Sequence, residues 1–256
     1  DGLKPPREIA LPNPTHYYTP AWSPDSKKIL YTDTNLRLWV LDVATGQTKT
    51  VGRDPWMVPR RAMNPAWSPD SKWIAYASHL DSLYHGIFVV NVETGETKQV
   101  TDGLADAMWP AWDASGKYLW FLASTDFGLA SQWLDMTSYD HNETFGLYCA
   151  VLKKDEPSPL LPESDEDQGV GSAPAPSEGR GGGGGRGGRG GAPGGEAAAE
   201  AGGAQAEQPA QAPRAPRAPV TVTIDFPGLQ QRIISIPGVP TRQYSALKAG
   251  VAGFVY

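Results

Sequence analysis

Side chains able to do chemistry are few and scattered along this 256-residue chain. Histidines stand at His16, His79, His85 and His141. None has the H-E-x-x-H or paired spacing that sets two imidazoles on one metal, so no metal ligand is assigned among them. Asp135, Asp140, His141, Asn142 and Glu143 gather oxygen donors, but they lack the glycine and alternating acidic positions of a calcium loop. They read as a solvated loop between strands. Ser23, Ser68 and Ser131 have no G-x-S-x-G frame, so no nucleophile elbow is placed. Adjacent guanidiniums at Arg60 and Arg61 have the donors to grip a peptide carboxylate, and solvated surface is the reading preferred for them. Cys149 is the single cysteine, which excludes an internal disulfide and a cysteine-based zinc site. The expectation is a chain with no catalytic, cofactor-binding or metal-binding residue and no cofactor.

The composition points the same way. From Gly171 to Pro219 the sequence holds 15 of its 29 glycines and 7 of its 24 prolines, and no Leu, Ile, Val, Phe, Tyr, Trp or Met. Such a stretch cannot bury enough apolar surface to offset the entropy of ordering it, so residues 163–219 are expected to be a disordered linker. Its Arg-Gly-Gly units at Arg180, Arg186 and Arg189 lack interleaved aromatics for stacking on bases, so a spacer is expected rather than an RNA-binding segment. That segment carries five Arg against four Glu, a net +1, which leaves −7 of the −6 total on the rest of the chain. An acidic balance argues against a phosphate-binding surface, and no nucleic acid partner is expected. No apolar run approaches the ~18 residues of a membrane span, so no membrane partner is expected either. The sequence starts at Asp1 without a signal-type apolar core. The cytoplasm is the expected compartment, with periplasm or secretion as the alternative.

The elements that would hold such residues announce themselves by a repeat. Pro20-Ala21-Trp22-Ser23-Pro24-Asp25-Ser26-Lys27 recurs as Pro65-Ala66-Trp67-Ser68-Pro69-Asp70-Ser71-Lys72, then decays to Pro110-Ala111-Trp112-Asp113-Ala114-Ser115-Gly116-Lys117. The tryptophans fall 45 residues apart. Each copy runs into a short apolar segment, Ile29-Leu30-Tyr31, Ile74-Ala75-Tyr76 or Leu119-Trp120-Phe121. Proline at the second position fixes φ for a tight turn, while Thr45-Gly46 and Thr94-Gly95 supply a glycine able to take positive φ in a hairpin loop. Runs of β-branched and aromatic residues between the turns are too short for helices, and some are apolar on both faces. Strands buried on both faces, with Trp returning at this period, predict an all-β fold of four-stranded β-propeller blades. Trp39, Trp56, Trp73, Trp109, Trp120 and Trp133 are expected in blade cores or between blades.

The P-A-W-S-P-D-S-K copies resemble the blade repeat of TolB-like propellers, found also in prolyl-oligopeptidase-type peptidases and tricorn proteases. Ser124-Thr125-Asp126-Phe127-Gly128-Leu129, Trp133-Leu134-Asp135-Met136-Thr137-Ser138-Tyr139 and the run from Val151 to Glu166 resemble bacterial tricorn protease homologues. So does Val222-Thr223-Ile224-Asp225-Phe226-Pro227-Gly228-Leu229, which is similar to the start of a second propeller in that family. The resemblance implies that 1–162 are blades of a first propeller, 163–219 a linker and 220–256 the first strands of a second. It implies a non-catalytic part of a serine protease that gates or guides peptides. The catalytic domain, a PDZ-like domain and the rest of the second propeller would lie outside this chain. Peptide or unfolded polypeptide, the remainder of the parent chain and further copies of the parent are the implied partners. A TolB-like protein-binding module and the propeller of a prolyl-oligopeptidase-type enzyme are the alternatives.

Overall fold

A computed structural model describes residues 7–12, 15–56, 63–126, 130–131, 134–135, 143–161, 220–244, 246–250 and 255–256. Arg60, Arg61, Asp140, His141, Asn142 and the expected linker lie outside these residues. Among them the structure is all-β, with one 3-10 turn at Leu229–Arg232. Strands β1 (Tyr17–Trp22), β2 (Lys28–Asp33), β3 (Arg37–Asp42) and β4 (Thr48–Arg53) form an antiparallel sheet in that order. So do β5 (Ala66–Trp67), β6 (Trp73–His79), β7 (His85–Asn91) and β8 (Thr97–Gln99). A third sheet begins with β9 (Asp106–Trp112) and β10 (Tyr118–Ser124). A short hairpin follows, β11 (Ala130–Ser131) with β12 (Leu134–Asp135), and β13 (Gly146–Val151) then pairs with β10.

The fourth strand of this third blade comes from the far side of the low-complexity segment. Strand β14 (Ile233–Ser235) lies antiparallel to β13, with Cys149 opposite Ile234, so the sheet order is β14-β13-β10-β9. The segment after residue 219 was expected to open another propeller. Instead it completes the third blade, because Ile233 and Ile234 supply the apolar outer strand that this blade lacks. Asp1–Gly171 and Pro219–Tyr256 accordingly make one compact unit.

The repeat turns are built alike. Ser23 Oγ donates to Asp25 and accepts from the Lys28 N–H, while Ser26 takes φ 59°. Ser68, Asp70 and Trp73 reproduce this arrangement, with Ser71 at φ 61°. In the third copy Gly116 holds the same position at φ 72°. Gly46 and Gly95 carry the positive φ expected of the hairpin loops.

Between sheets the apolar residues merge into shared cores. Leu30, Leu38 and Val40 of the first blade meet Ile74, Tyr76 and Val90 of the second. Ala75, Ile87 and Val89 of the second meet Trp112, Leu119 and Phe121 of the third, joined by Val222 and Leu229. Burial of this kind, at about 25 cal/mol per Å² of apolar surface, is the main force that stacks one blade on the next.

Candidate functional site

The first strand of each blade carries a deformation that the period exposes. Thr19, Asn64 and Trp109 stand 45 residues apart and each precedes a proline. Their φ values are 51°, 45° and 56°. Left-handed backbone is costly for a β-branched Thr or a bulky Trp, by about 1–3 kcal/mol each, so three aligned copies mark a built feature. Each is a β-bulge. Thr19 and Pro20 together oppose Tyr31, and Trp109 and Pro110 oppose Phe121. In the second blade Met63 C=O accepts from the Ala77 N–H, leaving Asn64 and Pro65 opposite Tyr76.

All three lie on sheet-edge strands. Proline removes the N–H that would recruit another strand there, so the edge is blunted as a template for pairing. A groove of about 450 Å³ runs along these edges, bordered by Thr19, Pro65, Trp67, Trp109, Trp112 and Tyr256. The sequence signal was available: X-Pro inside a strand-like run indicates a bulge or an edge.

Tryptophan ties the edges together. Trp67 Nε1 donates to the Ala21 carbonyl at 3.2 Å, and Trp112 Nε1 to the Ala66 carbonyl at 3.1 Å. Asp25 N–H donates to Ser71 Oγ across the same boundary at 3.0 Å. Trp22, the first tryptophan of the repeat, is 58% exposed.

At the opposite ends of these strands is a buried polar cluster. His79 ends β6 and His85 begins β7, directly across the hairpin, with ring centroids 3.8 Å apart. His79 Nδ1 lies 2.9 and 2.8 Å from the two carboxylate oxygens of Asp54, which follows β4 of the first blade. His85 Nδ1 lies 2.6 Å from Asp106 Oδ1, at the start of β9 in the third blade. The same oxygen accepts the His85 backbone N–H at 2.7 Å. All four side chains are buried. Each histidine thus joins the middle blade to a neighbour. Spacing alone kept these residues apart, since five residues separate them in sequence and only the hairpin sets them face to face.

Asp54 also lines a cleft of about 400 Å³ with Tyr18, Asp33, Leu36, Met63 and Asn64, between the first two blades. Cys149 is buried, and desolvation, with Asp113 nearby, pushes its thiol above the ordinary value of 9.0. A thiol held protonated is a poor nucleophile. The serines of the repeat turns, Ser23 and Ser68, are spent on their own aspartates.

A family model for the second β-propeller domain of tricorn protease matches residues 8–256, both arms together. Among solved structures, tricorn protease superposes with a TM-score of 0.54 at 14% identity, over 91% of this chain. TolB from Acinetobacter baumannii matches 56% of this chain and 31% of its own, at 18% identity and TM-score 0.39. The β-propeller domain of the Trilobed protease from Pyrococcus furiosus matches 52% of this chain and 40% of its own, at 16% identity and TM-score 0.35. A search of curated proteins finds no match. The chain spans 18% of the length of the tricorn protease it superposes on. With its three stacked four-stranded sheets and a match along nearly its whole length, the chain belongs to the tricorn protease second β-propeller family.

Proposed function

We propose that this chain guides extended peptides within a tricorn-type serine peptidase whose catalytic groups lie elsewhere in the parent protein. The observation that carries the reading is the row of bulged strands at Thr19, Asn64 and Trp109 bordering one groove. Blunted edges let an unfolded chain slide past without being captured as an added strand. A groove of about 450 Å³ admits a stretch of extended polypeptide and is too small for a folded protein. The parent is read as self-associating and cytoplasmic, without nucleic acid or membrane partners. Among the described residues no helix is long and apolar enough to cross a membrane.

Photo-crosslinking tests the reading. A photoreactive residue placed at the exposed Thr19 should capture a labelled unfolded polypeptide and spare the same protein when folded. The same probe at Lys98, on the outer strand β8, should capture neither. Equal labelling from both positions, or capture of folded protein from Thr19, would overturn it. Sustained hydrolysis of the polypeptide by the purified chain would overturn the non-catalytic part.

A further inference from the structure

We propose that Asp54, His79 and His85 form a binding site for one divalent transition-metal ion, with Asp106 as the outer partner that orients His85. One ring nitrogen of each histidine and a carboxylate oxygen of Asp54 lie within 4.8 Å of one another. A tetrahedral ion with ligand bonds of about 2.0–2.1 Å needs its donors about 3.4 Å apart, so small side-chain rotations close the gap.

Two features point to an ion rather than to hydrogen bonding alone. First, His85 Nε2 is buried with no hydrogen-bond partner among the described residues, in a residue only 1% exposed. Its Nδ1 faces Asp106 at 2.6 Å, which fixes the Nδ1–H tautomer and leaves Nε2 as a bare lone pair. A carboxylate on the far nitrogen is the usual support of a metal-bound imidazole. A buried lone pair without a donor is costly, and a Lewis acid satisfies it.

Second, Asp54 borders the cleft between the first two blades, which brings one of the candidate ligands to the edge of an open space.

Two imidazoles and one carboxylate suit zinc, cobalt, nickel or copper better than calcium or magnesium, which prefer all-oxygen cages. Three donors from two blades, with the third blade supplying Asp106, make the ion a clamp on all three sheets.

The test uses the full chain stripped of metal. Cobalt(II) should give the intense visible bands of a four-coordinate site, saturating at one ion per chain and displaced by one zinc. Zinc should raise the melting temperature. His85→Gln and His79→Gln should each abolish the visible bands, and Asp106→Asn should weaken zinc about 10–100-fold through the lost orientation of His85. His16→Ala should change nothing. If the histidine variants fail to fold, the wild-type nitrogen NMR shift of His85 Nε2 decides, since it moves on zinc addition only if that atom binds. Cobalt remaining hexa-aquo with wild-type protein, an unmoved Nε2 signal, or unaltered binding by folded histidine variants overturns the proposal.

Discussion

Gly116 stands where the repeat departs from its own pattern, and the departure has a steric cause. Ser26 and Ser71 hold positive φ at the equivalent positions and carry side chains there. At Gly116 a Cβ would meet Val222 Cγ2 at 2.9 Å and Val220 Cγ1 at 3.0 Å. The segment returning after the low-complexity stretch lies over this turn, with Val222 N–H donating to Asp70 at 2.9 Å. Restoring the repeat by Gly116→Ser is therefore expected to destabilise the chain by about 1–3 kcal/mol, where repeat logic alone expects a neutral change. Urea midpoints of the two proteins check this, and a midpoint equal to or above wild type would show that Val220 and Val222 do not press on the turn. From sequence the glycine looked like decay. The residues that explain it stand more than a hundred positions away, beyond the reach of any local signal.

At the scale of elements, the sheets of the first two blades were legible because their strands are consecutive and joined by recognisable turns. The fourth strand of the third blade was not. Ile233–Ser235 resembles any short apolar strand, and 81 residues separate it from Val151. Closing so long a connection costs only about 2 kcal/mol more than closing one of ~8 residues, because the penalty grows with the logarithm of length. What holds β14 outweighs that. Arg232 donates from Nε to the Val151 carbonyl at 3.1 Å and from its Nη atoms to the carbonyls of Pro227, Leu152 and Asp225. Ile234, Ile236 and Val239 pack on Trp120, Leu147 and Cys149. Residues 1–170 and 219–256, produced as two separate chains in one cell, should hence purify together as a one-to-one complex. Recovery of the larger piece alone would show that β14 is held only by its covalent tether. The histidine cluster was illegible for a related reason, since it is assembled from the ends of three sheets.

Across the whole molecule, stability should follow buried groups that resist ionisation. Burial pushes the Tyr31 hydroxyl up to about 12, with Tyr17 and Asp33 adding to it. Burial likewise raises Tyr118 to about 12, aided by Glu156. Cys149 is raised for the same reason. Each group is favoured in its protonated form by the fold, so its contribution is complete below its unfolded value and is lost as pH rises beyond it. The unfolded values are 9.0 for the thiol and 10.0 for the phenols. Opposite in sign is Asp42, which the Thr45 N–H and hydroxyl hold below 3.8. Its contribution is present above that value and fades in acid. Urea midpoints should fall steadily above pH 9. A midpoint at pH 10.5 equal to that at pH 8 would contradict the assignment of these three groups as ionised only on unfolding.

The indole-to-carbonyl bonds always point one way, from a later blade back to the one before it. During synthesis each emerging blade therefore finds its acceptor already made, and growth has a built-in direction. The third blade breaks this rule. At about 5–20 residues per second, the ribosome needs roughly 4–16 s to deliver Ile233 after Val151. For that interval β13 waits with a bare edge, long enough for the same strand of a neighbouring nascent chain to take the place. Crowded polysomes are thus where this propeller is most exposed to exchanging its last strand between copies.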